Sequence, residues 1–383
     1  MEGQDVCGSK TKQVKPLAVT SIFNTLFPLD RSASNDTVQA QGRRLLASPR
    51  ECSNLSDGTR CFDLPPCKLW LDSQQRLRTT ANHVKVNLDA VIPVISKTVV
   101  HVPRNEGTSV VAVKTLKENA NEKERSDLVQ ELQVMKMLEP HPNVVRLLGC
   151  CTEKDPLFVI MEFVPHGKLQ SFLRSSRAER FYGNLHGPSN TLTSRDLTTF
   201  VYQVARGMEF LSAKGIIHRD LAARNVLVGE NHVCKVADFG FARDVIANHV
   251  YERKSEGRLP IRWMAPESLY DNIFSVKSDV WSFGILIWEI VTLGSTPYPG
   301  LAAADVMKKV RDGYRLDKPE HCRRELYNIM YYCWDKDAKE RPTFPELVQL
   351  LEQLLLSETE YIELERFPDH SYYNMVSLSG EKL

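Results

Sequence analysis

Between Gly58 and Gly107 the chain has no glycine at all. Glycine lets a backbone take positive φ and come close to a ligand, so a tight glycine-rich hairpin over a phosphate is excluded from that stretch. Long hydrophobic runs are missing too. The longest candidate, residues 90–102, is broken by Pro93, Ser96, Lys97 and His101, and it falls short of the ~18 apolar residues of a membrane span. The first residues hold no continuous apolar core of signal-peptide length, so the formal glycosylation acceptors Asn35-Asp36-Thr37 and Asn54-Leu55-Ser56 are read as chance. Net charge is nearly absent. Lys plus Arg number 49 and Asp plus Glu 48, which leaves +1 and no electrostatic case for nucleic acid or an anionic membrane. Residues 1–104 carry a net +5 and the remainder −4; the positive charges are scattered, as in a solvated basic segment. The nine cysteines follow no metal-binding pattern: Cys52, Cys61 and Cys67 are too far apart, and Cys150 and Cys151 are adjacent on a strand-like run. Reduced thiols of a cytosolic protein are the expectation. No internal repeat is visible.

What is present is the balance of a soluble globular protein, 42% hydrophobic and 25% charged over 383 residues, with apolar side chains enough for a sizeable core. Residues 1–104 show weak periodicity, many polar residues and a break at Pro65-Pro66; they read as a largely disordered segment with a short strand within 90–102. From residue 108 the texture changes. "SVVAVKTL" is a buried-strand run. "EKERSDLVQELQVMKML" puts Leu128, Leu132, Met135 and Leu138 on one helical stripe, and "HPNVVRLLGCC" and "PLFVIMEFV" read as two further strands. That order predicts a small sheet with one helix. After a polar stretch at 174–195 the chain becomes mainly helical, with "DLTTFVYQVARGMEFLSAKG" an amphipathic helix ended by Gly215. From about Ser357 it reads as a flexible, tyrosine-containing tail.

Several charged residues stand in places where charge needs a reason. Glu131 lies on or beside the apolar stripe of its helix. Either it takes a cation, for which Lys114 on the neighbouring strand is the obvious choice, or it merely edges the stripe and reaches water. "IIHRDLAARNVLV" places His218, Arg219, Asp220, Arg224 and Asn225 in a loop between apolar stretches, and "KVADFG" puts Asp238 at the end of another strand. Asp220, Asn225 and Asp238 with a distant lysine suit phosphoryl transfer: magnesium takes carboxylate and amide oxygens, and developing phosphate charge takes a cation.

Four motifs in order, the lysine strand, His-Arg-Asp, Asp-Phe-Gly and Ala265-Pro266-Glu267, make residues 105–357 resemble a protein kinase domain. The resemblance is to receptor tyrosine kinases, of the cadherin-containing group and then the fibroblast-growth-factor and Ret types. "HRDLAARN", "GRLPIRWMAPES" with Pro260, "SVKSDVWSFGILIWEIVTLGSTPYPG" and "YIELERFPDHSYYNM" carry it. It implies an α+β, two-lobed fold, with a small sheet lobe carrying one helix and a larger helical lobe. Lys114 is then expected to hold ATP phosphates and pair with Glu131, and Asp220 to act as catalytic base with Arg224 beside it. Asn225 and Asp238 become the Mg2+ ligands. Met161 would back the adenine pocket, the backbone of Glu162 and Val164 would grip the base, and Ala112 and Leu227 would sandwich it. His218, Phe239 and Met135 would stack, and Glu267 would pair with Arg341. Protein tyrosines are the implied substrates, with self-association for trans-autophosphorylation. The chain as given would be cytoplasmic, and a full-length relative single-pass in the cell membrane.

Two regions extend or strain the likeness. The window "DAVIPVISKTVVHV", roughly 20 residues before Lys114, should hold a glycine loop between two strands and does not. The first two strands are therefore expected to be missing or abnormal, residues 1–104 to come from an alternative or mispredicted exon junction, and the unmodified chain to be a weak enzyme. A kinase-like scaffold is the alternative. Between Asp238 and Glu267 the one tyrosine, Tyr251, is the expected activating phosphorylation site, its phosphate pairing with arginines that include Arg219. In the tail, Tyr361 in "YIEL" and Tyr372 in "YYNM" are expected to be exposed docking sites for Src-homology-2 domains.

Overall fold

The computed structural model describes backbone at 60–62, 69–71, 77–79 and 96–100, then residues 109–368 apart from 118, 153–156, 182–183, 245–249 and 253–258. It gathers the described residues into one compact unit. Tyr372 and the window expected to hold the glycine loop, up to residue 95, lie outside the described residues.

Strands β1 (Arg60–Phe62), β2 (Leu69–Leu71) and β3 (Leu77–Thr79) pair antiparallel in that order, a sheet that the weak periodicity of this region does not announce. The small lobe follows. Strands β4 (Ser96–Val100) and β5 (Ser109–Thr115), helix α1 (Glu122–Lys136), and strands β6 (Leu147–Cys151) and β7 (Phe158–Glu162) form an antiparallel sheet in the order β4-β5-β7-β6 with one helix. Of the two strands expected to be missing or abnormal before the lysine strand, one is present, within the short strand expected at 90–102: "SKTVV" ends in three β-branched residues and pairs with β5 from Ser96↔Val113 to Val100↔Ser109. The sheet reaches upstream of the boundary at 105. Helix α1 starts at a reciprocal cap between Asn121 and Glu124.

The larger lobe opens with α2 (Leu169–Ser175), the hairpin β8 (Arg177–Phe181) and β9 (Asn184–Ser189), and α3 (Ser194–Ala213). Thr193 and Asp196 cap α3, and Gly215 at φ +72 ends it. Short strands carry the loops of interest: β10 (Ile216–Ile217), β11 (Val226–Val228), β12 (Cys234–Val236), β13 (Arg243–Asp244) and β14 (Val250–Glu252). Then come α4 (Pro266–Tyr270), β15 (Ile273–Ser275), α5 (Val276–Val291), α6 (Ala303–Arg311), α7 (Arg324–Cys333) and α8 (Phe344–Leu356). Helix α5 is buried on every side from Ser278 to Val291 and is the beam of the lobe. Its Gly284 admits Trp334: a Cβ there would lie 2.6 Å from the indole Nε1 and 2.8 Å from the Cβ of Cys333. No helix among the described residues is long and apolar enough to cross a membrane.

The tail does not leave the body at Ser357. Tyr361 is 6% exposed and Ile362 and Phe367 are buried with it. Arg323 N–H donates to Tyr361 O at 2.9 Å, Glu363 N–H to His321 O at 2.7 Å, and Ile362 N–H to Ser194 Oγ at 3.0 Å. The expected exposure of Tyr361 is thus corrected. Its acidic neighbours made the segment look solvated, but Tyr361, Ile362 and Phe367 are buried and Ile362 pairs antiparallel with Cys322 in a single bridge.

Candidate active site

Strand β5 presents Lys114 to the cleft, and α1 brings Glu131, 3% exposed, to meet it. Lys114 Nζ donates to Glu131 Oε1 at 2.8 Å and Oε2 at 2.6 Å, so of the two readings open for Glu131 the ion pair is the one observed. Burial pulls the Lys114 ammonium down, but the Glu131 and Asp238 carboxylates outweigh it and hold the group above its ordinary value.

Across the cleft, β10 and β11 bracket the loop 218–225. Arg219 takes a left-handed backbone at φ +69, a conformation that needs support in a non-glycine residue. Asp279 on α5 supplies it, accepting His218 N–H at 2.7 Å and Arg219 N–H at 2.9 Å while itself 1% exposed. Sequence reasoning missed Asp279, although a carboxylate inside an otherwise apolar helix is a signal in itself. Burial lifts its pKa to about 6 against those two hydrogen bonds. In the loop, Arg224 Nη2 donates to Asp220 Oδ1, and Asn225 Nδ2 donates to Asp220 O and Oδ2, both at 2.7 Å. Burial holds the Asp220 carboxyl above its ordinary value, with Arg224 the chief opposing charge.

Asp238 follows β12, also left-handed at φ +62, with Oδ1 3.4 Å from Lys114 Nζ. Desolvation would raise its pKa, yet the Lys114 charge brings it below the ordinary value, so it presents an ionised carboxylate whose side chain is 54% exposed. Asn225, having spent Nδ2, keeps Oδ1 as an acceptor. A carboxylate and an amide oxygen are the hard donors that suit Mg2+, which keeps waters and phosphate oxygens as its other ligands. The residues fit the ion.

His218 links the two sides. Asp220 N–H donates to its Nδ1 at 3.3 Å, and its Nε2 lies 3.0 Å from Ala237 O, which places the ring proton on Nε2. Its ring sits 5.6 Å from that of Phe239; Met135 on α1 is buried as well. At the lobe connection Ala112 faces Met161 in register, and Glu162 Oε1 accepts Arg146 N–H at 2.8 Å and pairs with Lys235 at 3.0 Å. The chain after Val164 is tied to β11, His166 N–H to Val228 O at 3.0 Å and Val228 N–H to Gly167 O at 2.8 Å. Leu227, half-buried, is thereby carried beneath the connection. Arg341, almost wholly buried, makes the paired bonds to Glu267 at 2.6 and 2.8 Å. The backbone of Tyr251 is in register with Phe274, over whose ring the Arg219 guanidinium lies at 4.5 Å.

Comparison with known proteins agrees with this arrangement. The model of the protein tyrosine and serine/threonine kinase family matches residues 93–351. The tyrosine kinase receptor Cad96Ca of Drosophila melanogaster is 75% identical over 279 residues, 73% of this chain and 36% of that protein. The fibroblast growth factor receptor of Strongylocentrotus purpuratus is 50% identical over 268 residues, 69% of this chain and 28% of the relative. Fibroblast growth factor receptor 1 of Pleurodeles waltl is 41% identical over 350 residues, covering 88% and 42%. The chain thus spans less than half the length of these relatives. With the family model spanning the cleft and its charged residues, the chain belongs to the protein tyrosine and serine/threonine kinase family.

Proposed function

We propose that the chain is the catalytic part of a receptor-type protein tyrosine kinase, moving the γ-phosphate of ATP to a protein tyrosine. One observation carries the reading: the Lys114–Glu131 pair stands 3.4 Å from Asp238, in a cleft whose other wall holds Asp220 with Arg224 and Asn225. Lys114 would hold the nucleotide phosphates. Asn225 and Asp238 would hold Mg2+, which supplies the charge that balances phosphate. Asp220 would take the phenol proton, and Arg224 would keep its carboxylate in place. The connection at Met161, Glu162 and Val164, with Ala112 above and Leu227 below, would seat the adenine.

Tyrosine as the acceptor is favoured by "AARN", where Arg224 rather than a lysine stands beside Asp220. Phosphate on Tyr251 would add about −1.5 to −2 charge near Arg219 and order the segment. Tyr372, and Tyr361 once its segment undocks, would serve Src-homology-2 domains, and self-association would allow trans-phosphorylation. The missing glycine loop should leave turnover low, because positional slack of about 1 Å can cost ~100-fold. A catalytically weak scaffold is the second reading. Phosphoamino-acid analysis after incubation with Mg-ATP and a mixed peptide library decides: phosphotyrosine above a D220N blank supports the enzyme, phosphoserine overturns the acceptor, and nothing above the blank leaves the scaffold.

A further inference from the structure

Helix α5 buries a second carboxylate, Glu289, with no exposure at all, among Ile287, Trp288, Ile290 and Val291. No charge is needed there for packing, and an ionised group so placed is costly unless hydrogen-bonded. Both hydrogen bonds of its Oε2 go to the cleft. Ala223 N–H donates to it at 2.9 Å, and so does the Trp263 indole Nε1–H at 2.9 Å; Oε1 lies 3.5 Å from Gln170 Nε2. Burial pushes its carboxyl above the ordinary value against those two bonds.

Trp263 is the floor under Arg224, whose guanidinium carbon lies 4.1 Å from the ring centroid. The same guanidinium donates to Asp220 through Nη2, while Nη1 is buried and has no hydrogen-bond partner among the described residues. Its orientation is therefore set by the face of the indole and by one bond to the carboxylate. The indole is held twice along α5, at its backbone by Ser282 Oγ donating to Trp263 O at 2.7 Å and at its N–H by Glu289, seven residues or about two turns further on. One oxygen thus fixes both the residue preceding Arg224 and the ring beneath it.

We infer that Glu289 is a positioning residue for transfer to the peptide, acting through Trp263 and Ala223 on Arg224 and so on Asp220. This rests on the kinase reading of the cleft. Because the linkage runs to the acceptor side, away from Lys114 and Asp238, its loss falls on the peptide reaction more than on ATP.

The test compares E289L, E289Q and W263F with the wild-type full chain, reading transfer to a tyrosine peptide, ATP hydrolysis without peptide, and melting temperature. Gln keeps an oxygen for both donors, and its amide donates to Gln170 once the Gln170 carboxamide flips to present its own oxygen. E289Q is therefore expected to stay within about threefold of wild type, while E289L and W263F lose about tenfold in transfer and at least about fivefold less in peptide-free hydrolysis. Equal loss of both readouts, or full transfer in E289L or W263F, overturns the role. If E289L does not fold, W263F carries the same comparison, since Glu289 keeps its bond to Ala223. A wild type that transfers only to serine overturns the tyrosine reading alone; the variants are then read on the serine peptide, where unchanged transfer overturns the positioning role.

Discussion

Helices α1 and α5 each bury a carboxylate that serves the same cleft, and they hold it by opposite means. Helix α1 is one-sided: Leu128, Glu131, Leu132, Val134 and Met135 are buried, and its outer face is open to water. Helix α5 is buried all round. Glu131 pairs with a lysine side chain that also has Asp238 within 3.4 Å, whereas Asp279 accepts two backbone N–H groups that have no second choice. A side-chain pair within the small lobe, whose lysine also reaches Asp238 across the cleft, has an alternative arrangement; a carboxylate locked to backbone inside the large lobe has none. The small-lobe half of the site is thus the half that can be switched, and the large-lobe half is the fixed reference against which it aligns.

Substitutions break the comparison in graded ways. The largest effect belongs to the fixed half: D220N should lower turnover by about 10²–10⁴-fold while the melting temperature holds, because the proposed general base is lost and the fold is not. Next, E131Q should cost up to about 100-fold in turnover by loosening Lys114, with little change in large-lobe stability. D279N should do the reverse, destabilising by about 1–3 kcal/mol in urea as one backbone N–H loses its acceptor. Equal stability losses in E131Q and D279N would erase the distinction.

A finer effect concerns pH. Burial raises the Asp220 pKa, and the proposed base acts in its ionised form, so kcat/KM should fall with decreasing pH at a value above the ordinary 3.8 of an aspartate. Removing the opposing charge in R224Q should move that limb higher still. An acid limb at or below 3.8 in the wild type, or a downward move in R224Q, would contradict the assignment.

Much of the site was legible in the sequence because its chemistry is carried by charged residues in loops between apolar runs. Lys114, Asp220, Asn225 and Asp238 could be named before any contact was known. What stayed open or went wrong depended on long-range placement. A helical stripe cannot tell whether Glu131 at its margin faces a lysine or water. Tyr361 looked solvated because "ETEYIELE" is acidic, yet its docking depends on His321, Cys322 and Ser194, far away along the chain. "SKTVV" falls within the short strand expected at 90–102, but its pairing with the lysine strand was not readable, because the absent glycine argued against a hairpin there. Asp279 and Glu289 were readable as carboxylates in an apolar helix, but their partners, the amides of 218, 219 and 223, were not.

The burial of Tyr361 yields the smallest expected effect: F367A should raise the rate at which an added tyrosine kinase phosphorylates Tyr361 by several-fold, followed by mass spectrometry, and leave large-lobe turnover near wild type. No change in that rate would mean that the docked segment does not gate the tyrosine.

Amide hydrogen exchange on the full chain addresses the contrast between the two helices most directly. The account predicts that the His218 and Arg219 amides, bonded to Asp279, exchange only with opening of the large lobe, while α1 amides from Leu128 to Met135 exchange faster and are slowed when Mg-ATP is added. Equal protection of the two sets without nucleotide, unchanged by adding it, would contradict it.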